Sequence, residues 1–362
     1  MRQAGHAVEL HEAAPALGEV GAGLTLSRGA QQVFRHLGVQ SAIARHATPS
    51  TGFPFVHYRT GRILSGTINH GRGEPDDGTA DISRQCHRAD LHAELAAAWG
   101  PVHLGHNLIG IDETADGVRA TFADGSVAEG DALIAADGVR SAARAILFGE
   151  DQPRFTGQVA YRFLVDGERA RPFLELGRGA VFIGPKRTFN RYTLRGGDLL
   201  NCVGIAATET WTGDGWAIPA SVEELSEAFD GWHPSVTGLF GEANNLIKWG
   251  IFERVPLPCW SQGRTTLLGD AAHAMTPFLG MGAAMAIEDA MILARSFEAE
   301  QSVAPAFARY EAARRPRTLL LHEKSAEQGR LTQARDPDHY DPTAAPASDP
   351  SILAYNPVTA EI

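Results

Sequence analysis

The stretch that most limits how this chain can fold is residues 269–290, where a short strand, an acidic turn and a glycine-rich helix start follow one another. The apolar run at residues 265–268 predicts a buried strand that ends at Gly269-Asp270. The Asp270 carboxylate therefore emerges at the carboxyl end of a strand, which is the edge where open α/β sheets bind their ligands. Taken alone, a Gly-Asp pair is also a common turn.

Helix-breaking residues separate this strand from the helix that follows it. Pro277, Gly280 and Gly282 interrupt regular structure before a helix of good formers begins near Ala283. The first turn of that helix has backbone N–H groups without helical partners, and such donors suit an anion or developing negative charge. The N1/C2 carbonyl edge of a reduced flavin carries charge of this kind, so the segment predicts a cofactor site.

In order, the residues read Gly-Asp-Ala-Ala-His-Ala-Met-Thr-Pro-Phe-Leu-Gly-Met-Gly-Ala-Ala-Met-Ala-Ile-Glu-Asp-Ala. The stretch resembles the second FAD-binding motif of the class A flavin-dependent monooxygenases, the salicylate hydroxylase and 6-hydroxynicotinate monooxygenase type. The resemblance covers strand, loop and helix, and it implies that Asp270 contacts the ribityl-pyrophosphate region of FAD. The other cofactor-binding positions in this stretch are Pro277, Gly280, Gly282 and Ala283.

A second acidic residue ends a predicted N-terminal strand at residues 7–12. Glu12 stands where the second strand of a dinucleotide-binding βαβ unit ends in a ribose-binding acid, although a solvated acid is the alternative. Such a unit needs a first strand and a G-x-G-x-x-G loop about 20 residues before the acid. Only eleven residues precede Glu12, so we expect the first βα unit to be absent from this chain. Gly21-Ala22-Gly23 is no substitute because it follows the second strand, and the resemblance places it beside the flavin.

Two further segments resemble cofactor-binding positions of the same family. Arg88 starts a predicted helix, where its charge opposes the helix dipole. Either Asp90 offsets that charge or an anion such as the FAD pyrophosphate does, and the resemblance favours the anion. Asp137-Gly138 follows a buried strand at residues 132–136 and resembles the Asp-Gly motif that serves FAD and nicotinamide cofactor binding.

Several arginines are candidate anion ligands. Arg140 and Arg144, one turn apart after the Asp-Gly motif, supply phosphate-binding charge or lie at the surface. The run at residues 314–317 either binds an anion or forms a solvated helix surface. Strand residues in the second half of the chain can line a pocket for an acidic aromatic, although strand arginines more often face solvent: Arg162, Arg191, Tyr192 and Arg195.

The pattern of apolar residues predicts two domains. Asp116-Gly117 and Asp124-Gly125 predict a three-stranded meander within residues 102–134. Residues 155–251 predict a mainly antiparallel sheet with helices on one face. The fold class is therefore α/β, with an FAD-binding Rossmann-like domain of the GR2 type and a second, antiparallel substrate domain. The predicted parts are 1–47, 81–154 and 260–300 for the FAD-binding domain, 48–80 and 155–259 for the substrate domain, 301–334 for a C-terminal helix and 335–362 for an extended tail.

Composition argues against several kinds of partner. The 43 acidic and 32 basic residues give a net charge of −11, and no basic run is present to neutralise the phosphates of a nucleic acid. Cys86, Cys202 and Cys259 are too far apart in the chain to suggest a zinc site or a disulfide framework. No apolar run approaches the ~20 residues of a membrane span. We expect a cytoplasmic enzyme that is a monomer or homodimer and binds no metal.

The resemblance implies an FAD-dependent monooxygenase that hydroxylates a small aromatic substrate, phenolic or carboxylated. NADH or NADPH is the reductant, and O₂ adds at flavin C4a to give the hydroperoxide that transfers one oxygen to the ring. The protein mainly orients the reactants and excludes water, so the sequence identifies no catalytic residue. Met281 and Ala284 depart from the usual residues of the motif, which leaves the substrate open. The alternatives are a flavin reductase or dehydrogenase of the same fold and a truncated, non-catalytic homologue.

Overall fold

The computed structural model describes residues 1–17, 23–50, 52–66, 82–114, 116–211, 213, 217–334, 336–345, 349, 352 and 354–362. The strands in these ranges are β1 (His11–Glu12), β2 (Gly23–Leu26), β3 (Thr48–Pro49), β4 (Phe55–His57), β5 (Ile63–Ser65), β6 (Arg84–His87), β7 (His103–Leu104), β8 (Leu108–Glu113), β9 (Val118–Phe122), β10 (Val127–Gly130), β11 (Leu133–Ala135), β12 (Arg154–Asp166), β13 (Ala180–Gly184), β14 (Arg187–Leu194), β15 (Leu199–Ala207), β16 (Ile218–Pro219), β17 (Asn244–Glu253), β18 (Ser261–Gln262) and β19 (Thr265–Leu267). The α-helices are α1 (Arg28–His36), α2 (Gln40–Ala44), α3 (Arg88–Trp99), α4 (Ala142–Phe148), α5 (Gly167–Ala170), α6 (Val222–Ala228), α7 (Pro234–Thr237), α8 (Asp270–His273), α9 (Gly282–Ala299) and α10 (Val303–Thr332). Single turns of 3-10 helix lie at Arg2–Ala4, Arg171–Phe173, Arg195–Gly197, Phe240–Glu242, Pro277–Leu279 and Pro337–His339.

Two pairs of parallel strands carry acidic segments predicted from the sequence. β1 pairs with β7, and β11 pairs with β19 so that Ala135 lies opposite Leu267. Within the described residues no backbone ladder joins the two pairs. The strand predicted at residues 7–12 is regular only at His11–Glu12, because its partner β7 is itself two residues long.

Two small antiparallel sheets complete this part of the molecule. The predicted meander is confirmed, since β8, β9 and β10 pair in sequence order. A second sheet has the order β2-β6-β3, and α1 and α3 cover it. Leu26, Phe34 and Cys86 form its buried core, and burial raises the pKa of the Cys86 thiol to about 12.

The largest sheet has eight strands in the order β16-β17-β12-β15-β14-β13-β4-β5. β13 and β4 run parallel, and the other neighbouring pairs are antiparallel, as predicted. Alternate residues of β12, such as Tyr161, Phe163 and Val165, join a core with aromatic residues of the helical segments on one face, including Phe229 and Trp232. The intervening residues point to the opposite face, because side chains alternate along a strand.

Helices α9 and α10 pack against each other beside the strand pair of β11 and β19. The start of α9 at Gly282 and of α10 at Val303 agrees with the predicted positions. Pro316 lies inside α10, where it removes one helical hydrogen bond without ending the helix. In the ranges that the structure describes, no helix is both long and apolar enough to cross a membrane.

Candidate active site

The carboxyl ends of β11 and β19 bring two predicted cofactor segments side by side. Because these strands are parallel neighbours, the turn at Asp137 and the turn at Gly269-Asp270 leave the same edge of the sheet. Gly269 has a φ of 63°, a left-handed conformation that favours glycine. A Cβ there would also lie 3.1 Å from the Ala286 side chain, so glycine lets α9 approach the strand end closely.

Asp270 occupies a recessed position at this edge. Its side chain is accessible to solvent, yet surrounding protein displaces enough bulk water to raise its pKa, against the opposing charges of His273 and Arg88. Arg88 is exposed at the first position of α3 and has no hydrogen bond or ion pair with the described residues. Its charge also contributes to lowering the pKa of Arg162, after the larger effect of burial. The charge of Arg88 is therefore close enough to act on both Asp270 and Arg162.

The loop after Asp270 leads to a helix end that is free to bind a ligand. Pro277 opens a 3-10 turn, and Gly280 ends it with a φ of 65°. No side chain from the described part of the chain caps α9, whose first turn contains Gly282 and Ala283. The first amide to bond within the helix is that of Met285, so the amides before it are available to an acceptor.

A network of buried charged side chains contacts the backbone at the start of this loop. Asp289 accepts hydrogen bonds from Gly269 N at 3.1 Å, from His273 Nε2 at 2.6 Å and from Arg314 Nε at 2.6 Å. Arg314 also pairs with Glu288 at 2.9 Å. Burial opposes ionisation, but His273 and Arg314 hold the pKa of Asp289 at about 2. The network fixes the backbone at the residue that precedes Asp270.

Neither sequence interpretation of Arg314 is correct. Its side chain is fully buried and paired, so it is neither an anion ligand nor part of a solvated helix surface. The adjacent acids Glu288 and Asp289, which lie within the apolar first half of α9, could have indicated this, because buried charges need partners. Arg317, which donates to Glu288 at 2.8 Å, belongs to the same network.

In the Asp-Gly segment the interpretation of Arg144 is wrong, whereas cofactor binding by Asp137 stays a prediction. The Asp137 carboxylate is exposed and accepts a hydrogen bond from Ala143 N at 3.1 Å, at the start of α4. Arg144 is buried and bonds to Asp151 and to the carbonyls of Ala271 and Ala272. Its charge is therefore unavailable to a phosphate, and the residue instead ties α4 to α8. Arg140 is exposed and precedes α4.

Glu12 is exposed at the end of β1, where its carboxylate accepts a hydrogen bond from Ala14 N at 2.8 Å. Its carboxylate has no other hydrogen bond within the described residues, so no direct contact joins it to the other predicted positions. Gly21 and Ala22 lie outside the described residues. Gly23 starts β2, and a Cβ there would lie only 2.7 Å from the Tyr192 side chain.

One face of the eight-stranded sheet turns towards these segments, and we call it the inner face. Strand register and alternation place these residues on it: Ala160, Arg162, Asn190, Tyr192, Asn201, Val203, Ile205 and Trp249. Arg162 lies over the Trp249 ring at 5.1 Å and has no ion pair with a described residue. Phe278 packs against Ala160 and Ile205, which brings the loop of Pro277 to the inner face.

The other two arginines predicted to line a substrate pocket lie elsewhere. Arg191 faces the helix-covered side, where it is fully buried and bonds to the carbonyls of Phe173 and Ser235. Arg195 is exposed in the turn after β14, where it pairs with Asp90. A separate cavity of 210 Å³ lies near Tyr161 on the helix-covered side. None of the predicted cofactor-binding residues lines that cavity.

Comparisons with known proteins agree with these observations. A family model described as an FAD binding domain matches residues 214–325. The chain is 34% identical over 344 residues to 6-hydroxynicotinate 3-monooxygenase of Bordetella bronchiseptica, covering 93% of this chain and 89% of that protein. It is 33% identical over 336 residues to 3-amino-4-hydroxybenzoate 2-monooxygenase PtnB3 of Streptomyces platensis, covering 90% and 83% respectively.

Solved structures show the same fold. The Klebsiella pneumoniae HpxO structure, complexed with FAD and uric acid, has a TM-score of 0.80 and 27% identity, over 93% of this chain and 85% of that chain. A salicylate hydroxylase substrate complex has a TM-score of 0.74 and 26% identity, over 90% and 85% of the two chains. The predicted α/β fold is thereby confirmed.

Proposed function

Because the chain belongs to the FAD-dependent aromatic monooxygenases, we propose that it hydroxylates a small aromatic anion, phenolic or carboxylated, with NADH or NADPH as reductant and O₂ as co-substrate. We infer the substrate class from Arg162, a partly buried cation without an acidic partner among the described residues. A cation removed from water is stabilised when a ligand supplies the opposite charge.

The residues of the recess fit FAD. We assign Asp270 to the ribityl-pyrophosphate region and the unpaired Arg88 to the pyrophosphate, because a cation and a recessed acceptor lie close together there. The free amides at Gly282 and Ala283 suit the electron-rich edge of the flavin ring. When bound, FAD supplies the redox and oxygen-transfer chemistry.

Four further predicted positions complete this assignment. We propose that the turn from Pro277 to Gly280 directs the free amides of α9 towards the cofactor. We propose that Glu12 binds the ribose hydroxyls from the end of β1, and that Asp137 orders the turn beside Asp270 through its bond to α4. The side chains of these residues bind or orient the cofactor and take no part in oxygen transfer.

The inner face supplies the substrate contacts. We propose that Arg162 binds the carboxylate or phenolate of the ring and that Trp249 and Phe278 form apolar walls. The Tyr192 hydroxyl has no hydrogen-bond partner among the described residues, and burial raises its pKa, so we propose it as a neutral donor to the substrate. The relatives named for 6-hydroxynicotinate and 3-amino-4-hydroxybenzoate act on rings that carry both a carboxylate and a hydroxyl group, which supports this substrate class.

Substituting Arg162 tests the substrate class. In the FAD-loaded enzyme, Arg162→Met is expected to weaken binding of a hydroxybenzoate or 6-hydroxynicotinate probe about tenfold, or roughly 1.4 kcal/mol. Binding of the matching uncharged amide should change little, because only the charge contact is lost. The measurement is titration of the flavin absorbance change.

Arg187→Met is the matched control for this test. Arg187 belongs to the same sheet and also has no ion pair within the described residues, but it lines the cavity on the helix-covered side. The control should bind every probe like the wild type. If the two variants lose affinity equally, or if Arg162→Met binds acid and amide with unchanged preference, Arg162 does not recognise the anion.

A further inference from the structure

Three contacts attach the turn between β14 and β15, and the adjoining strand β15, to the part of the chain that carries Arg88. Asn201 Oδ1 accepts a hydrogen bond from Gly23 N at 3.0 Å. Gly196 N donates to Thr48 Oγ1 at 3.1 Å. Arg195 binds Asp90 through two hydrogen bonds, of 2.9 and 2.6 Å.

The bond between Arg195 and Asp90 holds an unusual backbone conformation. Arg195 has a φ of 48°, in the left-handed region that residues other than glycine seldom adopt. The Asp90 side chain is 13% exposed, and its partner is 43% exposed. A two-point bond to a largely buried carboxylate is better defined than an ordinary surface ion pair, so it can fix the direction of the turn.

Each member of this pair is only two or three residues along the chain from a residue of the proposed site. Asp90 lies two residues after Arg88 on α3, and Arg195 lies three residues after Tyr192 at the end of β14. Gly23 lies against both Tyr192 and Asn201 without a side chain of its own. A shift of the turn would therefore move the inner face relative to Arg88.

We propose that Asp90 and Arg195 are positioning residues that set the inner face at the distance from the flavin that oxygen transfer to the ring requires. This inference rests on the proposed function and adds a determinant of coupling to it. In coupled turnover, NAD(P)H, a proton, O₂ and the aromatic substrate give NAD(P)⁺, water and the hydroxylated product. In uncoupled turnover, NAD(P)H, a proton and O₂ give NAD(P)⁺ and hydrogen peroxide, and the ring is unchanged.

The test measures peroxide formed per NAD(P)H consumed in Asp90→Asn, Arg195→Gln and the double variant, all loaded with FAD. Each single variant should raise the peroxide fraction at least threefold and raise the KM for the aromatic substrate, while FAD affinity stays within about twofold of the wild type. The double variant should be no worse than either single variant, since the contact between these two side chains is lost in all three. Arg195→Lys should restore part of the coupling.

Arg119→Gln is the control, because it breaks an exposed pair with Glu129 in the meander. It should leave the peroxide fraction unchanged. The inference is overturned if the Asp90 and Arg195 variants only lower the Tm with unchanged coupling, or if FAD affinity falls in parallel with coupling.

A second readout separates this inference from the proposed function. Binding of an aromatic anion should perturb the flavin absorbance of the wild type, and the perturbation should shrink in Asp90→Asn without turnover. If the wild type forms no hydroxylated product, the proposed function fails, and the binding readout still decides the role of Asp90. An unchanged perturbation in Asp90→Asn contradicts a positioning role.

Discussion

Arg314→Met is expected to lower the free energy of unfolding by about 3–5 kcal/mol, the usual effect of removing one partner from a buried ion pair. Arg314 is fully buried and bonds to both Asp289 and Glu288, which are also buried. Methionine fills similar space but leaves both carboxylates with one cation fewer. The measurement is denaturant unfolding of the FAD-loaded protein.

Arg315→Met is the control on the same helix. Arg315 is half-buried, and its guanidinium has no ion pair with a described residue, so its replacement should change stability by no more than about 0.5 kcal/mol. Equal stability of Arg314→Met and Arg315→Met contradicts a stabilising role for the network.

The wild type should also lose stability as the pH falls from the ordinary carboxyl pKa of 3.8 towards 2, because the pKa of Asp289 is lowered by folding.

Asp270→Ala and Arg88→Ala are each expected to weaken FAD binding about 10- to 100-fold, the range for a lost hydrogen bond to a charged group of about 1.5–3 kcal/mol. The charge of Arg88 acts on Asp270, and Arg88 has no competing partner among the described residues. The measurement is titration of apoprotein with FAD.

Asp124→Ala is the control for the FAD titration. Asp124 is an exposed carboxylate in the meander that accepts hydrogen bonds from Ser126 and lies 3.8 Å from His106 Nε2, so this variant should bind FAD like the wild type. If both Asp270→Ala and Arg88→Ala stay within about threefold of the wild type, roughly 0.6 kcal/mol, the cofactor assignment is wrong.

Local patterns were enough to predict the family and the elements at the site. The run from Gly269 to Gly282 combines a strand end, two breaks and a helix start within a few residues, and the relatives confirm the family that it suggested. The helix beginning at Arg88 was also predicted from the local sequence.

The roles of several charged residues could not be predicted, because their partners are distant in the chain. Arg144 bonds to carbonyls more than 120 residues away, and Arg191 to one that is 44 residues away. Sequence periodicity shows that a residue lies on a strand or helix, but it does not identify the chain segment opposite. The absence of a first βα unit stays a prediction.

We propose that this chain transfers one atom of O₂ to an aromatic anion. The direct measurement is turnover of the FAD-loaded protein with NADH or NADPH, a panel of hydroxybenzoates and 6-hydroxynicotinate, and ¹⁸O₂, followed by mass spectrometry of the ring. We predict substrate-dependent NAD(P)H oxidation with one ¹⁸O atom in each molecule of hydroxylated product. Stoichiometric hydrogen peroxide without any labelled product would contradict the claim and would favour a flavin oxidase or reductase of the same fold.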